Sequence, residues 1–144
     1  MFSKIMGTVG LIIIMSTTQS HASDTLLPLC PNSPNCVSSQ AADNSHFIAP
    51  FKIITQSDEA WTALKQALLS QPRTLITKES TQSLDAEATS FIFRFVDDIK
   101  IIFDRDKQLI HIRSASRIGY SDFGVNRQRV EQLRTALKNA GFIE

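Results

Sequence analysis

Most of the features that announce an activity are missing from this chain. Charge of neither sign is in surplus: the formal net charge is +1 over 144 residues, so nucleic acid is not implied. No apolar run reaches the ~20 residues of a stable membrane span. No G-x-S-x-G nucleophile elbow is present, and no internal repeat or low-complexity run. There are only two cysteines, with no second pair to complete a zinc site. The length suits one domain and not two, and an apolar fraction of 42% is ordinary for a globular protein.

What is there begins with a leader. Lys4 is a minimal positive region, residues 5–15 are apolar, and Ser20-His21-Ala22 places small residues where a signal peptidase reads. The expectation is a signal peptide over 1–22, cleaved after Ala22, and a periplasmic or otherwise secreted product. An uncleaved anchor is the alternative. Leu29 is bulky where lipoprotein processing at Cys30 needs a small residue. Without Lys4, 14 cations face 14 acids. Export makes the C-P-N-S-P-N-C segment read as a Cys30–Cys36 disulfide, since its prolines and asparagines favour a tight turn. A redox pair is the alternative, without the usual C-x-x-C spacing.

Residues 23–50 lack periodicity and read as an extended arm before a domain at 51–144. A short strand at 51–55 precedes a helix capped by Ser57, with Asp58 and Glu59 in its first turn. Trp61, Leu64 and Leu68 form its apolar stripe, and Pro72 stops it. A strand at 73–78 follows, residues 81–88 are ambiguous, and T-S-F-I-F-R-F-V (89–96) alternates most clearly as a strand. Asp97-Asp98 reads as a break or bulge before a strand at 99–103. A turn at 104–107 leads to its hairpin partner at 108–114. A last helix spans 125–140, closed by Gly141. This β-α-β-β-β-β-α order predicts an α+β fold, an antiparallel sheet of about five strands with two helices on one face.

The stretch 110–134 carries Arg113, Arg117, Arg127, Arg129 and Arg134 against only Asp122 and Glu131. Arg127 and Arg129 sit at the positive end of a helix dipole, where cations cost about 0.3–1 kcal/mol each. Asn126 occupies the middle of the apolar face, where its amide needs partners. One reading is a ligand site built from Arg113, Ser114, Ser116, Arg117, Gly119, Asp122, Asn126 and Arg127, with loop amides and guanidinium groups receiving an anion. The other is internal, with Glu87, Asp97, Asp98 and Asp122 pairing the arginines. Between the two, Arg127 is expected to be paired and Arg117 open.

Enzyme readings rest on His46, near Asp43, or His111 beside the same arginines. Strand alternation turns Ser114 away from His111 and separates Asp97 from Asp98, against serine or shared carboxylate chemistry. His46 also reads as a hydrogen-bonded packing residue, and Trp61 as core. No metal or cofactor is implied.

Several motifs carry a family likeness: C-P-N-S-P-N-C-V-S-S-Q, H-F-I-A-P, A-E-A-T-S, F-R-F-V-D-D and R-S-A-S-R-I-G-Y-S-D-F-G-V-N-R-Q-R-V-E-Q-L-R. Together they resemble the domain-of-unknown-function family numbered 1499, over nearly the whole chain after the leader. The resemblance implies a small exported or membrane-associated protein and brings no activity, substrate or cofactor. Leu84 stands where the pattern often has an aromatic, and Lys100 where an acid is common. The expectation is a binding domain for an anionic small molecule or an envelope partner. An envelope enzyme of unassigned class and a structural or interaction module with internally paired arginines are the alternatives.

Overall fold

A computed structural model describes residues 25–144 of the chain. The leader and its cleavage after Ala22 lie outside the described residues. The elements are β1 (Cys36–Ser38), β2 (Phe51–Lys52), α1 (Ser57–Ser70), β3 (Thr74–Glu79), β4 (Ser83–Thr89), β5 (Val96–Asp104), β6 (Leu109–Ser116) and α2 (Val125–Asn139). They make an α+β fold with a six-stranded sheet in the order β1-β6-β5-β4-β3, and β2 also pairs with β6. Every strand pairing is antiparallel.

Period-two alternation explains the sheet's two faces. Leu84, Ala86 and Ala88 of β4 face Ile99, Ile101 and Phe103 of β5 and Ile110 and Ile112 of β6 in one core. Both helices close that core, α1 through Trp61, Leu64 and Leu68 and α2 through Val130, Leu133 and Leu137. Trp61 is core, as its stripe indicates, stacked 5.6 Å from Phe103. The opposite face carries Asp85, Glu87, Asp98, Lys100, His111 and Arg113, with the arm crossing it at Pro28.

Helix ends follow local chemistry. The amides of Gly141 and Phe142 bond the carbonyls of Lys138 and Leu137, a Schellman closure that needs the left-handed φ of +81° at Gly141. Ser57, expected as the cap of α1, is instead its first helical residue. Its hydroxyl donates to Gln108 Oε1 at 2.9 Å, and Gln56 takes the cap position without a side-chain bond. Asp58 and Glu59 answer the dipole in its place.

Two strand expectations fail. The alternating run 89–96 is not a strand: β4 comes from the ambiguous segment before it, and Thr89 pairs directly with Val96. Residues 90–95 are the hairpin loop, pinched by Ser90 N donating to Phe95 O and Phe95 N donating to Ser90 Oγ. Small residues in β4 (Ala86, Ala88) fit under the helices where phenylalanines would not, so packing overrides the stronger pattern. Nor do Asp97 and Asp98 break β5. Both are in register, opposite Ser116 and Ala115 of β6, because each finds an arginine on its own side of the sheet.

The arm is tied down rather than merely extended. Cys36 and Cys30 form the expected disulfide, and Cys36, Val37 and Ser38 add β1 to the edge of β6. From α2, Arg127 donates to the carbonyls of Ser45 and Phe47. Arg134 reaches those of Ala49 and Pro50 and lies 4.8 Å from the Phe51 ring centroid.

Candidate functional site

The end of the sheet where β4 meets β5 and β6 runs into α2 gathers most of the sequence-selected residues. Asn126, in the first turn of α2, is fully buried and acts as a hub. Its Oδ1 accepts from Ser114 Oγ at 2.6 Å and Arg129 Nη1 at 2.7 Å. Its Nδ2 lies within hydrogen-bond reach of Asp122 Oδ2 (2.8 Å), Ser116 Oγ (3.0 Å) and the Asn35 carbonyl (3.2 Å). Asn35 in turn donates to the Gly119 carbonyl. One amide thus joins the β6 strand, the loop after it, α2 and the disulfide loop.

The two broken rules at α2 are answered from within the chain. Asp122 accepts from the Gly124 and Asn126 amides at 2.9 and 3.0 Å, occupying the helix N-terminus that an external anion would use. Burial works to raise the pKa of Asp122, but these amide bonds outweigh it and hold the carboxyl below its ordinary value. Arg129 Nη2 donates to Asp97 Oδ2 at 2.6 Å, with both side chains nearly buried.

Arg117 and Arg127 reverse their expected roles. Arg117 is the ion-paired one: Nη2 donates to Glu87 Oε1 at 2.7 Å and Nε to Asp98 Oδ2 at 3.1 Å. Arg127 meets no acid among the described residues and caps arm carbonyls instead. The Arg117 cluster is open to solvent, with the guanidinium-bearing side chain 47% exposed. Screening and side-chain entropy discount such pairs. Arg117→Ala is therefore expected to leave the urea unfolding midpoint close to that of wild type; a large fall in the midpoint contradicts this reading.

Arg113 differs from the others. It lies half-buried on the open sheet face, beside a cavity of about 370 Å³ that it shares with Pro28, Thr77, Asp85, Asp98 and Lys100. Its Nε is buried without a partner, and Nη2 makes only a 3.4 Å bond to the Leu29 carbonyl. Burial pushes its pKa down, and Asp98 opposes the shift.

The histidines are engaged separately. His46 Nδ1 lies 2.9 Å from Asp43 Oδ1 and Nε2 donates to the Ser33 carbonyl at 2.9 Å. Acceptors on both nitrogens favour the protonated ring. The Asp43 bond and then the Ser33 carbonyl raise its pKa above 6.5, against burial and Arg127. A raised folded pKa contributes stability that is complete below the ordinary value and fades as pH rises through the folded value. The stability difference between wild type and His46→Gln should be largest below the ordinary histidine value and shrink as pH rises above it, measured by chemical denaturation. A difference growing with pH contradicts it. His111, on the open face, has its pKa lowered chiefly by burial and faces Ser39 Oγ at 3.2 Å. It is remote in register from Ser116 and turned away from Ser114. Among the described residues no three His, Cys, Asp or Glu side chains cluster as metal ligands, and no helix is long and apolar enough to cross a membrane.

Over the chain a family model matches residues 26–137, described as a protein of unknown function (DUF1499). The chain belongs to the DUF1499 family. No curated protein matches it. In this DUF1499 protein the hub and its arginines all fall within the matched span.

Sequence reasoning missed the surface above this hub. Phe91, Ile92, Phe93 and Phe95 of the β4–β5 loop are exposed, as are Ile118, Tyr120, Phe123 and Val125 after β6. The loops are neighbours: the Arg117 amide bonds the Val96 carbonyl, and Phe91 and Val125 line one cleft of about 260 Å³. The signal was the F-I-F-R-F run itself, which the strand reading placed in the sheet.

Proposed function

We propose that this protein is an exported, periplasmic binding domain that engages an envelope partner through the loop end of its sheet. The observation that carries the reading is the pair of adjacent loops with exposed Phe91, Ile92, Phe93, Tyr120 and Phe123. Contiguous apolar exposure of this kind marks interaction sites. The polar hub beneath supplies stiffness: it ties the second loop to the arm, β6 and α2, so the apolar groups are presented on a fixed base. The leader over residues 1–22 and the Cys30–Cys36 bond support an oxidising, exported setting. A photoreactive side chain at position 93 or 120 should crosslink in cells, while one at position 138, on the solvent side of α2, should not. Equal crosslinking at the two places, or none at either, overturns the reading.

Anion binding is a second reading, favoured by the unpartnered Nε of Arg113 rather than by Arg117. It expects sulfate to raise the melting temperature by mass action in wild type and in Arg117→Ala, but not in Arg113→Ala.

A further inference from the structure

The loop end combines three properties that together specify its partner's chemistry. First, most of its apolar groups stand outward on the two loops, and only Phe91 and Val125 also line the cleft between them. Phe123 is 95% exposed and Phe91, Ile92 and Phe93 are each more than 70% exposed. Protein docking sites concentrate their energy in pockets that a partner fills, and the cleft beside these tips is lined mostly by polar side chains. A lipid interface needs no pocket, because the acyl boundary yields around each side chain.

Second, two arginines at these tips have no ion-pair partner. Arg94 is exposed, in the same loop as the phenylalanines. Arg73 is exposed alongside, its guanidinium 5.5 Å from the Phe91 ring centroid and its Nε donating to the Thr89 carbonyl. Among the described residues neither forms an ion pair. The acids closest to the tips are spent: Glu87 and Asp98 on Arg117, Asp97 on Arg129, and Asp122 on the amides of α2. Exposed aromatic groups flanked by two unpaired arginines complement a surface that is apolar within and anionic at its headgroups. Tyr120, 72% exposed, adds the amphipathic ring favoured at that boundary.

Third, the backbone at both tips is held in a costly conformation. Arg94 has φ +56° and Phe123 φ +53°, in the left-handed region that bulky residues rarely adopt. Such strain persists where surrounding structure enforces it, and it clusters at working surfaces. At Phe123 the enforcing structure is the Asp122 carboxylate on the following amides.

From these we infer that the β4–β5 and β6–α2 loops dock this domain onto an anionic phospholipid surface, with Phe91, Phe93 and Phe123 inserted and Arg73 and Arg94 on headgroup phosphates. This rests on the loop end being the binding surface and names its partner.

The test is vesicle co-sedimentation of the protein recovered from the envelope of expressing cells, using phosphatidylcholine with or without phosphatidylglycerol. Binding should appear with phosphatidylglycerol, weaken with added salt, and drop at least about tenfold in Phe91→Ser/Phe93→Ser/Phe123→Ser. Arg73→Glu/Arg94→Glu should lose the phosphatidylglycerol dependence. All five positions are exposed, so melting temperatures should match wild type and certify folding. In Phe93→Trp, the new indole should shift to the blue with vesicles, while Trp61 stays buried in both states. Binding left intact by the loop substitutions, or equal on both lipids, overturns the lipid assignment. No vesicle binding, with crosslinks from positions 93 and 120 going to protein or to a second copy of this chain, overturns the lipid and leaves the loop-end reading standing. No vesicle binding and no crosslinks removes both.

Discussion

Asp97→Ala is expected to cost about 3–5 kcal/mol of folding stability, the usual result of leaving one half of a buried ion pair unmatched. Asp97 is 8% exposed, and its Oδ2 takes a 2.6 Å bond from Arg129. Little solvent is present to rescue the arginine once the acid is gone. Arg129 cannot swing away, because its other terminal nitrogen also donates to Ser114 Oγ and Asn126 Oδ1. Arg129→Met should cost a comparable amount, since it strands Asp97 instead. The double variant Asp97→Ala/Arg129→Met should cost less than the sum of the two, the signature of residues that act as one unit. Urea unfolding of the four proteins at neutral pH decides the matter. A loss below about 1 kcal/mol for either single variant would place the pair with ordinary surface bridges. Arg117 makes the useful contrast: two acids hold it, yet its exposure makes it the weaker contributor.

Asn126→Leu should be as damaging, although leucine suits the apolar face of α2. Removing the amide leaves the Ser114 hydroxyl without its acceptor and the Ser116 hydroxyl without its donor, and takes one of two partners from the Asn35 carbonyl and from a terminal nitrogen of Arg129. Each unmatched group costs about 1–3 kcal/mol, and the branched side chain must fit where a planar amide lay. A total near 3 kcal/mol or above corresponds to a fall in melting temperature of roughly 10 °C for a domain of this size. Hydrogen exchange should quicken at the disulfide loop and at the end of β6, since both lose their tie to α2. A melting temperature equal to or above wild type would show that packing alone governs this position.

The residues the sequence marks as anomalous are those the hub uses. A polar Asn on an apolar helix face and cations at a helix N-terminus are local conflicts, and such conflicts are legible without a structure. Their resolution was not. Arg117 stood in a Ser/Gly loop and invited an open reading, but Glu87 and Asp98 reach it across neighbouring strands. Arg127 was expected to find an acid and found carbonyls, because the arm passes beside it. Partner choice of this kind depends on which strands are adjacent, and adjacency is set by registers that no single segment encodes.

The sequence by itself determined the α+β class, both helices with their buried stripes, the β5–β6 hairpin, the Cys30–Cys36 bond and the need for partners around Asn126. These rest on periodicity, turn chemistry and local charge, all properties of short segments. Tertiary structure alone decided the fate of F-I-F-R-F. Its alternation is a better strand pattern than S-L-D-A-E-A-T, yet Ala86 and Ala88 lie opposite Ile99 and Asp97 beneath the helices, where small side chains fit. Once β4 takes those positions, the Thr89–Val96 pairing leaves the phenylalanines no sheet to join. They emerge at the loop end as an exposed aromatic surface because packing is a competition among distant segments for one interior, and that interior was filled without them.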